Sequence, residues 1–180
     1  YDKPMIYYPL STLMLCGINE ILLICNHRDI NMFKELLGDG KDWGISISYK
    51  IQPQPDGIAQ AFLLAEQFLN DSPTALILGD NIFHGSEFIK KVKSALKLKT
   101  GAHVFLQKVE NSSSFGVAEL DNNDIICRIH EKPKVHVSDL AVTGLYIYDD
   151  TVTARINEIK HSARGELEIS DLNNLYASQK

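Results

Sequence analysis

The sequence predicts an α/β fold in which helices flank a mixed, mainly parallel sheet, with antiparallel strands in the second half. In the first half of the 180 residues, short apolar runs alternate with segments of helical spacing, the pattern of strands joined by crossover helices. In the second half, several strand-like segments follow one another, as in hairpins. Because 44% of the residues are hydrophobic, we expect one core domain over residues 1–180.

The elements of the first half follow from periodicity and from residues that break it. Helical spacing of apolar residues predicts helices over 6–16, 29–37 and 58–69. Continuous apolar runs predict buried strands over 21–25 and 74–78, and alternation predicts a half-buried strand over 46–51.

The second half begins with a lysine-rich helix that Ser86 is expected to cap. A solvated helix face explains these lysines better than a binding patch does. Strand patterns then cover 102–109, 116–120, 125–130 and 142–148. Helical spacing returns over 151–160 and 169–177.

Charge and composition exclude several classes of function. Eighteen basic and 23 acidic side chains give a net charge of −5, so we expect no nucleic-acid partner. No segment approaches the ~20 apolar residues of a membrane span, and we expect a cytoplasmic protein without a membrane partner. The cysteines and histidines lack the spacing of disulfide frameworks or metal sites, and P-loop and dinucleotide fingerprints do not occur.

Asp80 follows the predicted buried strand 74–78, after Gly79. Ligands of open parallel sheets collect beyond the carboxyl ends of the strands. A carboxylate there can bind Mg²⁺ together with substrate phosphates, because this ion takes only one or two protein carboxylates. A helix cap or turn is an equally good explanation of the Gly79-Asp80-Asn81 run by itself.

The segment 52–61, QPQPDGIAQA, leaves a strand and enters a helix. Its prolines stiffen the loop, and Gly57 allows a flat ligand to approach the backbone. The amide of Gln52 offers a donor and an acceptor side by side, which suits the edge of a nucleobase. A simple connecting turn is the alternative.

Two further segments carry charges suited to a sugar phosphate. In Glu131-Lys132-Pro133, the carboxylate can accept from hydroxyls and the ammonium can bind phosphate. Arg164 precedes the last predicted helix and is either a phosphate ligand or part of a charged helix start. Taken alone, Glu131-Lys132-Pro133 is also typical of a surface turn.

The order and spacing of these segments resemble those of the sugar nucleotidyltransferase family, and within it the glucose-1-phosphate thymidylyltransferases. The stretches that carry the resemblance are YDKPMIYYPL (1–10), QPQPDGIAQA (52–61), LGDNIF (78–83), FGV (115–117), EKP (131–133), AVTGLY (141–146) and RGELEI (164–169). The resemblance implies a Rossmann-like core, Mg²⁺ as cofactor and a homotetramer. It also implies the synthesis of dTDP-glucose and pyrophosphate from dTTP and glucose 1-phosphate, supplying deoxysugars such as rhamnose.

The resemblance also implies a role for each matching residue. The implied roles are thymine recognition by Gln52 and Gly57, Mg²⁺ binding by Asp80, nucleotide-sugar contact by Asn81, hexose contact by the backbones of Gly116 and Val142, hydroxyl binding by Glu131, and phosphate binding by Lys132 and Arg164.

The sequence departs from the family pattern in two respects. Phe115 stands where the family usually has Tyr, which removes a hydroxyl. The family's glycine-rich first segment and its C-terminal region with a second metal-binding Asp are not in this sequence. We therefore expect an internal fragment of a longer enzyme, inactive by itself. Two alternatives stay open, namely a related transferase for another nucleotide or sugar phosphate, and a non-catalytic nucleotide-sugar binding domain.

Overall fold

The computed structural model describes residues 2–97 and 99–178, so Tyr1 of the first resembling stretch lies outside the described residues. In chain order, the elements are α1 (Tyr7–Leu15), β1 (Glu20–Cys25), α2 (Ile30–Leu37), β2 (Ser46–Ile51), α3 (Gln60–Leu69), β3 (Thr74–Ile77), α4 (Ser86–Ala95), β4 (Ala102–Lys108), β5 (Gly116–Leu120), β6 (Ile126–Glu131), β7 (Leu140–Tyr148), α5 (Val152–Arg155) and α6 (Ile169–Ala177). Their bounds agree with the sequence predictions to within two residues, except over 151–160. There, a short α5 gives way to a 3₁₀ turn at Ile156–Glu158.

The strands form two sheets. β1 and β2 pair in parallel, with Glu20 opposite Ser46 and Cys25 opposite Ile51. In the second sheet, β7 pairs with β3, β4 and β5, and β5 pairs in turn with β6. All of these pairings are antiparallel. The predicted α/β class with parallel and antiparallel parts is confirmed. The antiparallel part is larger than expected, because β3 pairs with β7 and not with a parallel neighbour.

Strand β7 is the centre of the core because both of its faces are buried. Tyr146 and Tyr148 face a cluster that includes α3, α5 and α6, and the Tyr148 ring packs edge-on against Phe62 at 5.2 Å. Leu145 and Ile147 face the opposite way, toward α4. The sequence pattern over 142–148 predicted this strand, although Thr143 and Gly144 interrupt its apolar run.

The parallel pair has its own apolar cluster, in which Leu10 of α1 and Leu37 of α2 pack with Ile45 and Ile47. A groove of about 810 Å³ runs between β1 and β3 and is lined by both strands. Among the described strands, the edge of β1 that faces away from β2 has no hydrogen-bonded neighbour. No helix within residues 2–97 and 99–178 has the length and apolar character needed to cross a membrane.

Candidate active site

A cavity of about 220 Å³ lies where β5, β6, β7 and the start of α6 meet. The cavity is lined by five of the nine site residues predicted from the sequence, namely Gly116, Glu131, Lys132, Val142 and Arg164. They come from four separate parts of the chain, so the fold itself assembles this group. The other four, Gln52, Gly57, Asp80 and Asn81, lie outside the lining of this cavity.

Arg164 is held at the rim by a two-point ion pair. Its Nε and Nη2 atoms donate to the two carboxylate oxygens of Glu168, at 3.1 and 2.7 Å. Nη2 also donates to Glu131 Oε1 at 3.2 Å. In the described residues, no hydrogen bond engages the third nitrogen, Nη1. The guanidinium is therefore fixed on one side and has a donor left for a ligand.

Glu168 is the buried anchor of this pair, since its side chain is 9% exposed against 40% for Arg164. Its Oε1 also accepts from the Ser162 hydroxyl at 2.6 Å. Burial by itself raises the pKa of Glu168, but the hydrogen bonds from Arg164 and Ser162 outweigh it. The pKa of Glu168 therefore lies below its ordinary value, and the carboxylate stays charged to hold the guanidinium.

Lys132 follows β6 with a backbone φ of +42°, in the left-handed region that only a few per cent of non-glycine residues adopt. Its backbone N–H donates to the Phe115 carbonyl at 3.0 Å, which fixes this turn. The side chain is exposed and has no ion-pair partner within 4.0 Å among the described residues. Its charge still contributes to lowering the pKa of Glu168. A strained backbone that carries an unpaired cation is typical of a functional position.

Glu131 and Gly116 lie opposite each other in the β5–β6 ladder. Ser170 donates a hydrogen bond to Glu131 Oε2, and the other carboxylate oxygen, Oε1, accepts from Arg164 Nη2. A Cβ atom at Gly116 would lie 3.5 Å from Glu131 Oε2 and 3.4 Å from Ser170 Oγ. The absence of a side chain thus keeps the backbone of Gly116 accessible beside the carboxylate.

Asp80 and Asn81 follow β3 and are tied to β7. Asn81 Oδ1 accepts from the backbone N–H of Gly144 at 3.0 Å, and its Nδ2 donates to Asp80 Oδ1 at 2.8 Å. A Cβ at Gly144 would come within 2.8 Å of the Asn81 amide, so this contact needs glycine. Asp80 is exposed and keeps its second oxygen for another ligand. Asn81 thus orients the carboxylate.

The loop from Gln52 to Gln60 is pinned to the segment that leads into α6. Leu167 N–H donates to the Asp56 carbonyl at 2.7 Å, and Ala59 N–H donates to the Leu167 carbonyl at 3.3 Å. Gly57 has φ +101°, and a Cβ there would lie 2.3 Å from the Leu167 carbonyl oxygen. The loop therefore requires glycine at this position, both for its dihedral angle and for the close backbone contact.

Gln52 lies at the start of this loop and lines the 810 Å³ groove, not the smaller cavity. Ile58 lines both, so the two spaces are neighbours across the loop. The structure therefore has two candidate binding regions. We call residues 52–60 the amide loop, and the group around Glu131, Lys132, Arg164 and Glu168 the charged cavity.

The protein-family model described as nucleotidyl transferase matches residues 1–180. The chain belongs to the nucleotidyl transferase family. Curated relatives named glucose-1-phosphate thymidylyltransferase include those of Neisseria meningitidis serogroup A, 54% identical over 98% of this chain, and Mycobacterium tuberculosis, 45% identical over 99%. The chain spans about three fifths of the length of these relatives, 61% and 62%.

Two solved structures share the fold of this chain. A protein from Bacillus anthracis, described as a glucose-1-phosphate thymidylyltransferase in complex with a sucrose, matches with a TM-score of 0.86 and 41% identity. The match covers 98% of this chain and 71% of that one. A UDP-glucose pyrophosphorylase complexed with UDP-glucose matches with a TM-score of 0.84 at 24% identity, which is a likeness of fold.

Several polar residues of this transferase fold were not singled out from the sequence. Glu168 and Ser170 hold the predicted residues Arg164 and Glu131. Burial and the charge of Glu131 raise the pKa of Tyr146 to about 12, so its hydroxyl stays protonated. Asn173 lines the cavity and accepts from the Tyr148 hydroxyl at 2.6 Å, while its buried Nδ2 has no hydrogen-bond partner among the described residues. Nothing in the sequence around Asn173, three residues after Ser170 in α6, indicated these contacts.

Proposed function

We propose that the protein, in its full length, makes dTDP-glucose and pyrophosphate from dTTP and glucose 1-phosphate. A phosphate oxygen of the sugar phosphate attacks the α-phosphorus of dTTP, and the bond from that phosphorus to the pyrophosphate breaks. The relatives of 45 to 54% identity carry the name of this activity.

The observation that supports the proposal most strongly is that one cavity is lined by Lys132, Arg164 and Glu131. Both substrates are polyanions, so repulsion between them opposes the reaction. Catalysis then depends on positioning and on neutralising charge, which two fixed cations can do. Lys132 is without an ion pair in the described residues and binds the sugar phosphate together with the Nη1 edge of Arg164.

The hexose would lie against Glu131, whose carboxylate accepts from sugar hydroxyls. The backbones of Gly116 and Val142 supply neighbouring polar groups at the cavity wall. Asn173 Nδ2 is a buried donor without a partner in the described residues, and such a group favours a hydroxylated ligand that can accept from it. We expect this amide to donate to a hydroxyl oxygen of the sugar.

The nucleobase would lie at the amide loop, with Gln52 at its edge, while the glycine at position 57 allows the loop to pack against the Leu167 backbone. The loop is anchored to Leu167 and so to the segment that carries Arg164. This link supports binding of the nucleotide and the sugar phosphate at adjacent positions. A homotetramer is expected from the resemblance, and light scattering of the full-length protein measures it.

Asp80 would hold Mg²⁺ with Asn81 beside it. In the part of the chain that the structure describes, no cluster of three or more His, Cys, Asp or Glu side chains could hold a metal. A single free carboxylate oxygen nevertheless fits this ion, which completes its coordination with phosphate oxygens and water. When bound, Mg²⁺ supplies charge neutralisation on the phosphates.

The direct test is pyrophosphate release by the full-length protein with a panel of nucleotides and sugar phosphates. We expect turnover with dTTP and glucose 1-phosphate, and none when either substrate is omitted. Galactose 1-phosphate and mannose 1-phosphate are the matched controls for the sugar. The proposal fails if no pair gives pyrophosphate, or if another nucleotide is clearly preferred.

A further inference from the structure

The amide of Gln52 is part of a chain of hydrogen bonds that runs through the amide loop. Gln52 Nε2 donates to Gln60 Oε1 at 2.8 Å and to the Gly57 carbonyl at 3.2 Å. Gln60 Nε2 in turn donates to Asp56 Oδ2 at 2.7 Å. All three side chains are half-buried, so these bonds are partly shielded from water.

The direction of every bond in this chain is fixed by its two ends. An ionised carboxylate and a backbone carbonyl can only accept hydrogen bonds. Because Asp56 accepts, Gln60 must turn its NH₂ group toward it and its oxygen toward Gln52. Because Gln60 and the Gly57 carbonyl then both present oxygen atoms, Gln52 must turn its NH₂ group toward them.

Rotating the Gln52 amide by half a turn would place its oxygen against these two acceptors. The rotation would break two hydrogen bonds and leave oxygen facing oxygen, which is strongly unfavourable in a half-buried site. The outward-facing atom of Gln52 is therefore Oε1. No described residue donates a hydrogen bond to it.

A hydrogen-bond acceptor that faces the base distinguishes the keto pyrimidines, thymine and uracil, from cytosine. Thymine and uracil carry a hydrogen on N3 and can donate to Gln52 Oε1. Cytosine has a lone pair on N3, which would face the oxygen without a hydrogen between them. A site built around one polar partner rejects a ligand that lacks the matching group.

We propose that Gln60 and Asp56 are positioning residues that set base specificity by locking the Gln52 amide with its oxygen outward. This inference rests on the proposed function, in which Gln52 contacts the base, and adds the residues that decide what Gln52 can accept. The backbone of Asp56 is itself held by Leu167, so the end of the chain is fixed. The lock selects keto pyrimidines as a class and does not separate thymine from uracil.

Equilibrium binding of dTTP and dCTP to the full-length protein tests the proposal without depending on turnover. Gln60→Ala removes the closer of the two acceptors for Gln52 Nε2, so only the Gly57 carbonyl still opposes rotation of the amide. We expect the ratio of dTTP to dCTP affinity to fall about tenfold, the size of one polar contact in such discrimination. Gln67→Ala, the same change at an exposed position of α3, should leave the ratio as in the parent.

A double exchange provides a rescue. In Asp56→Asn/Gln60→Glu the net charge is unchanged, the new carboxylate accepts from Gln52 Nε2, and the new amide donates to that carboxylate. The Gln52 oxygen again faces outward, so the affinity ratio should return to within about threefold of the parent. Asp56→Asn alone should lower the ratio, since its amide can also donate.

The outcomes separate this inference from the proposed function. If the parent prefers dTTP and Gln60→Ala weakens the binding of dTTP and dCTP equally, the positioning role is wrong while the proposed function stands. If the parent binds neither nucleotide, the proposed function is wrong and the inference is overturned with it. If Gln60→Ala lowers the thermal stability, the double exchange decides the question. Its failure to restore the ratio of dTTP to dCTP affinity also contradicts the positioning role of Gln60 and Asp56.

Discussion

The amide loop and the charged cavity bind in different ways. The amide loop holds its side chains by hydrogen bonds of fixed direction and by a backbone contact that only glycine allows. The charged cavity holds Arg164 by a buried carboxylate and presents Lys132 on a strained turn with no ion pair among the described residues. The first arrangement suits a ligand read by shape and donor pattern, and the second suits one bound for its charge.

Directional hydrogen bonds and fixed charges are effective against different ligands. Hydrogen-bond direction discriminates between similar neutral groups, whereas a fixed charge acts on any anion at short range. Leu167 joins the two regions, because it bonds to the amide loop and lies between Arg164 and Glu168 in the chain. The predictions below test whether the regions are as separate as this comparison implies.

The largest effect is expected from Lys132→Met in the full-length protein. The substitution keeps an unbranched chain but removes the charge that neutralises the sugar phosphate. It should raise the KM for glucose 1-phosphate and lower kcat/KM by about 100-fold, equivalent to ~2.7 kcal/mol, with dTTP binding nearly intact. Lys134→Met, two residues along the same exposed turn, is the matched control and should behave as the parent.

Gly57→Ala should have the next largest effect, on stability. The new Cβ would lie 2.3 Å from the Leu167 carbonyl oxygen, at a φ of +101°. We expect the free energy of unfolding to fall by about 2 kcal/mol or more, measured by urea denaturation. Gly17→Ala shares a positive φ of +88° but meets nothing within 4 Å, so it isolates the backbone strain from the clash. Equal losses in both variants would contradict the close contact.

Much of the fold follows from local pattern, while the strand partners do not. The continuous apolar run over 74–78 indicated the buried strand β3, and the pattern over 142–148 indicated the strand β7. Its antiparallel pairing with β3 joins residues 68 to 74 positions apart, such as Ile77 with Leu145 and Thr74 with Tyr148. Nothing in either segment alone encodes that choice, since it depends on the packing of the whole sheet.

The sequence indicated candidate site residues where a residue type suits a ligand, and it did not indicate residues that act by holding another side chain. Lys132 and Arg164 were singled out because a cation beside a strand end or helix start fits a phosphate, and both line the charged cavity. Ser170 holds Glu131 from 39 positions away, and Gln60 holds Gln52 from 8 positions away. Such supporting contacts exist only after folding. The helix pattern over 58–69 gave Gln60 no role beyond its place in α3.

Asp80→Asn tests the residue proposed to bind Mg²⁺ after β3. The substitution keeps the shape and the contact with Asn81 but removes the negative charge that Mg²⁺ needs. We expect the Mg²⁺ concentration for half-maximal turnover to rise at least about tenfold, since loss of outer partners alone commonly has that effect. Asp150→Asn, at an exposed position after β7, serves as a surface control. An unchanged Mg²⁺ dependence would reassign Asp80 to a structural turn.

The smallest effect concerns pH. The pKa of Glu168 is lower in the folded protein than its ordinary value of 4.5, so this carboxylate stabilises the fold above pH 4.5. That contribution is lost as the pH falls below 4.5 toward the folded pKa. Glu168→Gln should therefore flatten the acid side of the stability curve, measured by thermal unfolding from about pH 6 down to about pH 3. Glu166→Gln, at the more exposed partner of Arg164, should retain the parent slope.

The most direct test of the separation between the amide loop and the charged cavity is a double-mutant cycle with Gln52→Ala and Lys132→Met in the full-length protein. Gln52→Ala should reduce discrimination between dTTP and dCTP by ~1 to 3 kcal/mol and leave the KM for glucose 1-phosphate unchanged. Lys132→Met should do the reverse, and the two effects should add within about 0.5 kcal/mol in the double variant. A change in nucleotide discrimination caused by Lys132→Met, or a coupling above about 1 kcal/mol, would contradict the account.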